Sequence, residues 1–183
     1  MKSKNSLTFS RKAALAVILV ALGVVLAPFT TFPIGPAKIN PTQQFINVLS
    51  AVLLGPSWAV GNAFVIAVLR NLLGTGTILA FPGGMIGALL AGLLYRWTSK
   101  ILLAALGEVV GTGLIASWIS AVWIVPVLMK SSAGFLVLFI PFGLSTLTGA
   151  TLAIIVLSFL KKARLLNSWQ TLPQTPPPDR PAP

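Results

Sequence analysis

Four carboxamides set the chemistry of this chain. Asn40, Gln43, Gln44 and Asn47 recur at i, i+3, i+4 and i+7, which is one face of a helix. A carboxamide donates and accepts hydrogen bonds without carrying charge. Such a face either glues neighbouring helices together or holds a small polar molecule. A second group follows downstream. Arg70-Asn71 leads directly into Gly74-Thr75-Gly76-Thr77, a segment able to present backbone N–H groups and two hydroxyls. It is not a nucleotide loop, because G-x-x-x-x-G-K-[ST] occurs nowhere in the sequence. Further along, Trp118 and Trp123 flank Ser120. They form either an interfacial aromatic belt or a wall on which a flat heterocycle stacks.

The residues available for catalysis are few. There is no His and no Cys, and the acids are Glu108 and Asp179. That removes imidazole acid–base work, thiolate chemistry, paired carboxylates and two-metal sites. No cofactor or metal site is expected, and no enzyme. Glu108 lies in Gly107-Glu-Val-Val-Gly-Thr-Gly113. A helix beginning near Gly107 puts it at a cytoplasmic N-terminus, within reach of Arg96 or Lys100. That is the expected arrangement, because an unpaired buried carboxylate is costly. A helix beginning at Ile101 would bury it and make it functional.

The elements that carry these groups are apolar. Of the 183 residues, 56% are hydrophobic and 8% charged, with a mean hydropathy of +0.94. Between Ala13 and Leu160 the formally charged residues are Lys38, Arg70, Arg96, Lys100, Glu108 and Lys130. A soluble fold of this length could not cover its surface with so few, so its solvent is lipid. The net charge of +11 is concentrated at the ends and in short loops, a topology signal and not a nucleic-acid footprint. The expected fold is an all-α integral membrane bundle of six transmembrane helices. Apolar runs cover 13–29, 42–54, 58–73, 85–97, part of 101–129 and 134–160. Breaker-rich loops at 30–41 and 74–84 interrupt them. Pro141 is expected to kink the sixth run. The first run is expected to remain as a span, since no clear cleavage site follows it. Six spans with both termini cytoplasmic place ten Lys and Arg inside and three outside. Residues 1–12 then form a basic cytoplasmic arm, 13–164 the transmembrane domain, and 165–183 a disordered Pro-rich tail. In this topology the amide face, Arg70 and both irregular loops open on one external mouth.

With these residues in place, the chain resembles the substrate-binding S components of energy-coupling factor (ECF) vitamin transporters. It is most similar to the ThiW family, linked to the thiazole precursor of thiamine. Four stretches carry the resemblance: 11–16 (RKAALA), 47–56 (NVLSAVLLGP), 70–84 (RNLLGTGTILAFPGG) and 108–113 (EVVGTG). The third is the most specific. The resemblance implies a six-helix plasma-membrane protein that captures a vitamin-like molecule from outside, beneath loops after its first and third helices. It implies partners too: a transmembrane coupling protein and a pair of ATP-binding cassette ATPases. Docking in the family uses an A-x-x-x-A pattern on helix one. Here that spacing reads Ala13, Val17, Ala21, with a thicker middle position.

The expected function is binding of hydroxyethylthiazole for ATP-driven uptake. Gln43, Gln44 and Asn47 would supply donors and acceptors, Arg70, Thr75 and Thr77 the polar end and lid, and Trp118 or Trp123 a stacking wall. Alternatives stay open: the same role for thiamine, its pyrimidine precursor or another vitamin, a membrane enzyme, or an assembly protein in which the amides are glue. Thiamine is cationic and would want an acid near the pocket, and Glu108 is expected at the opposite end.

Overall fold

The computed structural model describes residues 9–35, 37–131 and 134–163. The readings of residues 1–8 and of the tail from residue 164 onward, Asp179 included, lie outside the described residues. Among the described residues there are seven helices: α1 (Phe9–Val25), α2 (Ala27–Thr30), α3 (Pro41–Leu53), α4 (Pro56–Leu72), α5 (Ala80–Thr98), α6 (Ile101–Leu128) and α7 (Phe135–Lys162). Six are long and one, α2, has four residues. The expected runs reappear with shifted ends. Arg11 and Lys12 belong to α1, not to a separate arm. The 74–84 loop is shorter than expected, because α5 begins at Ala80.

Proline and glycine fix the junctions. Pro28, Pro41 and Pro56 each occupy a first helical turn, where a missing N–H costs nothing. Asn40 caps α3 by accepting the Gln43 N–H at 2.7 Å. The 30–41 segment is not a plain loop. It holds an antiparallel hairpin, β1 (Phe32–Ile34) with β2 (Ala37–Ile39), in the register Phe32 to Ile39. Gly35 takes φ 57° at its turn, a conformation glycine adopts without penalty.

α6 corrects the reading of the fifth helix. It starts at Ile101 and runs unbroken for 28 residues, widening into π-type turns over Val109–Ala116 and Ser120–Ile124. Gly107 and Gly111 do not end it. A Cβ on either would fall within 3.0 Å of the α5 backbone, at Leu90 and Gly87. They are glycines because two helix backbones touch there. Gly149 of α7 meets the α3 backbone at Pro41 and Phe45 in the same way.

α3 is the hub. Ten of its 13 residues are buried. Its apolar half joins Ile46, Val48, Leu49 and Val52 to Ala16 and Leu19 of α1, Ile66 of α4, and Ala153 and Leu157 of α7. A second cluster, with Leu79, Ala116, Leu138 and Phe142, closes the other end. At about 1.5 Å per residue α3 is roughly 20 Å long, shorter than a hydrocarbon core. α6 and α7 are each long and apolar enough to cross a membrane, and large apolar side chains such as Leu136, Ile140, Leu147, Ile155 and Phe159 stand exposed along α7.

Candidate functional site

The buried polar side chains gather at the α3 N-terminal end, and the four carboxamides there divide their tasks. Asn40 is structural and also lines the cavity described next. Besides capping α3, it donates from Nδ2 to Thr31 Oγ1 at 2.7 Å, and its backbone N–H reaches Ser145 Oγ at 3.1 Å. Gln43 and Gln44 line a cavity, with Arg70, Thr77, Gly83, Gly84, Thr112, Phe142 and Ser145 around them and Lys38 at its rim. Asn47 lies behind the wall. Its Nδ2 donates toward Gln44 Oε1, the Gly84 carbonyl and Glu108 Oε1 at 3.1–3.2 Å. The glue role is filled lower down, where Asn62 Nδ2 bonds Ser50 Oγ at 3.0 Å.

Arg70 is 2% exposed although it is a full cation. Its Nη1 donates to Gln43 Oε1, and its Nη2 to the Thr75 carbonyl at 2.9 Å and Thr31 Oγ1 at 3.4 Å. All three acceptors are neutral. A buried guanidinium held by neutral groups keeps strong electrostatic demand for an electron-rich partner. Local sequence explains how it is held. The Arg70 carbonyl accepts the Thr75 and Gly76 N–H groups, both at 2.9 Å, so the loop folds back over the end of α4. Gly74 allows this with φ 71°. Asn71 Nδ2 ties the loop to Thr77 O at 3.1 Å, and Lys38 Nζ reaches Gly74 O at 2.6 Å from the hairpin. The hairpin and the 74–79 loop thus form a joined cover.

Beneath it the cavity measures about 20 Å³, enough for one water. Small-molecule pockets are roughly 300 Å³ and more, so a heterocycle enters only if the Arg70–Gln43 contact and the cover yield. Some buried atoms have no hydrogen-bond partner: Gln43 Nε2, Arg70 Nε, Asn47 Oδ1 and Glu108 Oε2. Two of these residues, Gln43 and Arg70, line the cavity, and such orphans are what a polar ligand would satisfy.

Three sequence expectations need correction. Glu108 is not at a helix start beside Arg96 or Lys100. It is fully buried in the eighth position of α6, with Asn47 Nδ2 at 3.1 Å and Thr112 Oγ1 at 2.9 Å from its Oε1. The argument that the acid lies at the wrong end therefore fails. Trp118 and Trp123 do not line the cavity. They are 55% and 62% exposed, because Ser117 and Ser120 take the inward face of α6, Ser117 Oγ bonding Gly113 O at 2.6 Å. Thr75 contributes its carbonyl to Arg70 while its hydroxyl turns back to Arg70 O. On α1, Val17 and Ala21 face outward and Ala13 is half-buried, while Ala16 and Gly23 pack inward, Gly23 against Ile66.

Phe142, Ser145, Lys38 and Thr112 line the cavity and were not singled out from sequence. Thr112 had a signal: with Glu108 it makes an i, i+4 polar pair in an apolar helix. Ser145 had none, as one of several hydroxyl residues along α7 with Thr146 and Thr148 beside it.

A family model described as thiamine-precursor transporter protein (ThiW) matches residues 13–163. The description is of a transporter and not of an enzyme. No curated protein matches the chain.

Proposed function

We propose that this chain, which belongs to the thiamine-precursor transporter (ThiW) family, is the substrate-binding S component of an ECF-type importer in the plasma membrane. Its ligand is a small neutral thiamine precursor, hydroxyethylthiazole. The six long helices span the bilayer, with both termini in the cytoplasm and the hairpin and 74–79 loop outside. The observation that carries the reading is the buried Arg70–Gln43 contact under a tied cover, with unpartnered Arg70 and Gln43 nitrogens at the cavity. A thiazole with one hydroxyl offers a ring nitrogen and an oxygen as acceptors for those donors, and Phe142 gives its ring an apolar surface. Gln44 and Thr77 complete the polar rim. The outward positions Val17 and Ala21, with Ala13 beside them, are offered to the coupling protein, and uptake is driven by its ATPase pair.

The test is equilibrium binding on detergent-purified full chain, without ATP, with hydroxyethylthiazole, the pyrimidine precursor and thiamine side by side. Saturable binding of the thiazole ahead of the other two is expected. Binding of another of the three changes the substrate and keeps the role. Binding of none contradicts the role.

A further inference from the structure

Thr112 has one hydroxyl hydrogen and two close oxygens to share it between. Its Oγ1 lies 2.7 Å from the Gly83 carbonyl oxygen and 2.9 Å from Glu108 Oε1. Both separations fall in the O–H···O range, and each is best satisfied by a hydrogen of its own. The carbonyl has none and Thr112 has one, so the second sits on Glu108. Asn47 agrees. Its Nδ2 carries two hydrogens but has three oxygens within 3.2 Å, those of Gln44, Gly84 and Glu108. With a proton on Glu108 each close pair around Thr112 has its own hydrogen. Asn47 shares its two hydrogens among Gln44, Gly84 and the neutral Glu108 oxygen, Glu108 donates to Thr112, and Thr112 donates to Gly83.

Among the described residues, the surroundings supply no counter-charge. Glu108 is fully buried, and its described hydrogen bonds are to Asn47 and Thr112. Of the helices packed around it, α3 carries no titratable side chain. α5 carries Tyr95 and Arg96, α7 carries Lys161 and Lys162, and Lys100 precedes α6. The four cations are exposed at helix ends. Arg96 stands nine positions beyond Gly87, where a Cβ would meet Glu108, which is about 13 Å along the helix. Gly87 leaves the room that the carboxyl group fills.

We propose that Glu108 is held as a neutral carboxylic acid and acts as a positioning residue. Through Thr112 and Asn47 it fixes the Gly83–Gly84 carbonyls and the Gln44 carboxamide in the cavity wall, and it makes the site selective for an uncharged ligand. The selectivity rests on the ligand site proposed above, whereas the proton does not.

The test combines infrared spectroscopy with binding. Glu108 and Asp179 are the acidic side chains of the chain, so an Asp179→Asn background leaves Glu108 as its only carboxyl side chain. In a maltoside detergent at neutral pH, the protein should show the C=O stretch of a protonated carboxyl group. The band should shift in D2O and vanish in Glu108→Gln. A carboxylate band in its place that is lost in Glu108→Gln, and so is not that of the chain's C-terminus, overturns the proposal. In parallel, Glu108→Gln, which keeps a donor for Thr112, should bind hydroxyethylthiazole within about tenfold of wild type, one hydrogen bond's worth. Thr112→Val, which removes the hydroxyl between Glu108 and the Gly83 carbonyl, should lose more. Wild type should prefer neutral thiazole to cationic thiamine. Preference for the cation, abolished by Glu108→Gln, overturns the proposal. If wild type binds neither, the site reading and the selectivity fall together, and the infrared band still decides the proton.

Discussion

α3 and α7 are opposites. α3 is the shortest of the six long helices and the most deeply enclosed, with ten of 13 residues buried, among them Thr42, Gln43, Gln44, Asn47 and Ser50. α7 has 28 residues, nine of them buried, and turns Leu, Ile, Val and Phe outward. In water the greasy helix would be the central one. The inversion shows that burial here follows hydrogen-bonding need. Lipid cannot satisfy a carboxamide, so the polar helix goes inside, and α7 faces a solvent as apolar as itself. A polar helix placed at the hub is where a polar ligand can be held.

The sharpest way to break this contrast is to fill the space around the hub. Gly87→Val would put side-chain atoms onto Thr112 and Glu108. Loss of monodisperse protein on size exclusion is expected. Gly143→Ala on α7 meets nothing within 4 Å and should leave the elution profile and Tm near wild type.

Removing the buried cation comes next. Arg70→Leu strips the donors from Gln43 Oε1 and Thr75 O. Ligand affinity should fall roughly a hundredfold, from about 2–3 kcal/mol of lost charge-assisted bonding. Arg70→Lys should fall between, because an ammonium lacks the planar fork that reaches both partners. Titration calorimetry reads both.

Within the helices, Asn47→Leu leaves Gln44 Oε1 and Glu108 Oε1 short of a donor and should cost about 1–3 kcal/mol of stability, seen as a lower Tm. Thr148→Val on the exposed side of α7 removes only a bond back to Leu144 O and should stay within about 0.5 kcal/mol. Smallest of all, Trp118→Leu and Trp123→Leu should change affinity less than about twofold, since both rings face away from the cavity. A tenfold loss in either would restore them as a stacking wall.

The apolar runs were legible because lipid-facing helices need long stretches without charge. The amide face was legible because it follows the 3.6-residue period. What sequence hid was helix–helix contact. Gly107 read as a helix start, yet Gly107 and Gly111 are points of backbone approach between α5 and α6, and that single misreading moved Glu108 from the core to a helix start. Trp118 read as a wall because its ring chemistry suits stacking. Its direction was set by neighbours, since Ser117 and Ser120 had the stronger claim on the interior. The hairpin at 32–39 was hidden by its prolines and by its brevity, three residues in each strand. Ser145 and Phe142 reach the cavity through the packing of α7 on α3, which no local pattern announces.

The chain has no cysteine, so a single one can report on the mouth alone. Thr77→Cys places it in the cavity wall beneath the cover. In intact cells it should react with a membrane-impermeant maleimide added outside, and saturating hydroxyethylthiazole should block that reaction. Labelling only after the cells are opened, or labelling at the same rate with and without the thiazole, would contradict an external ligand site built on α3 and Arg70.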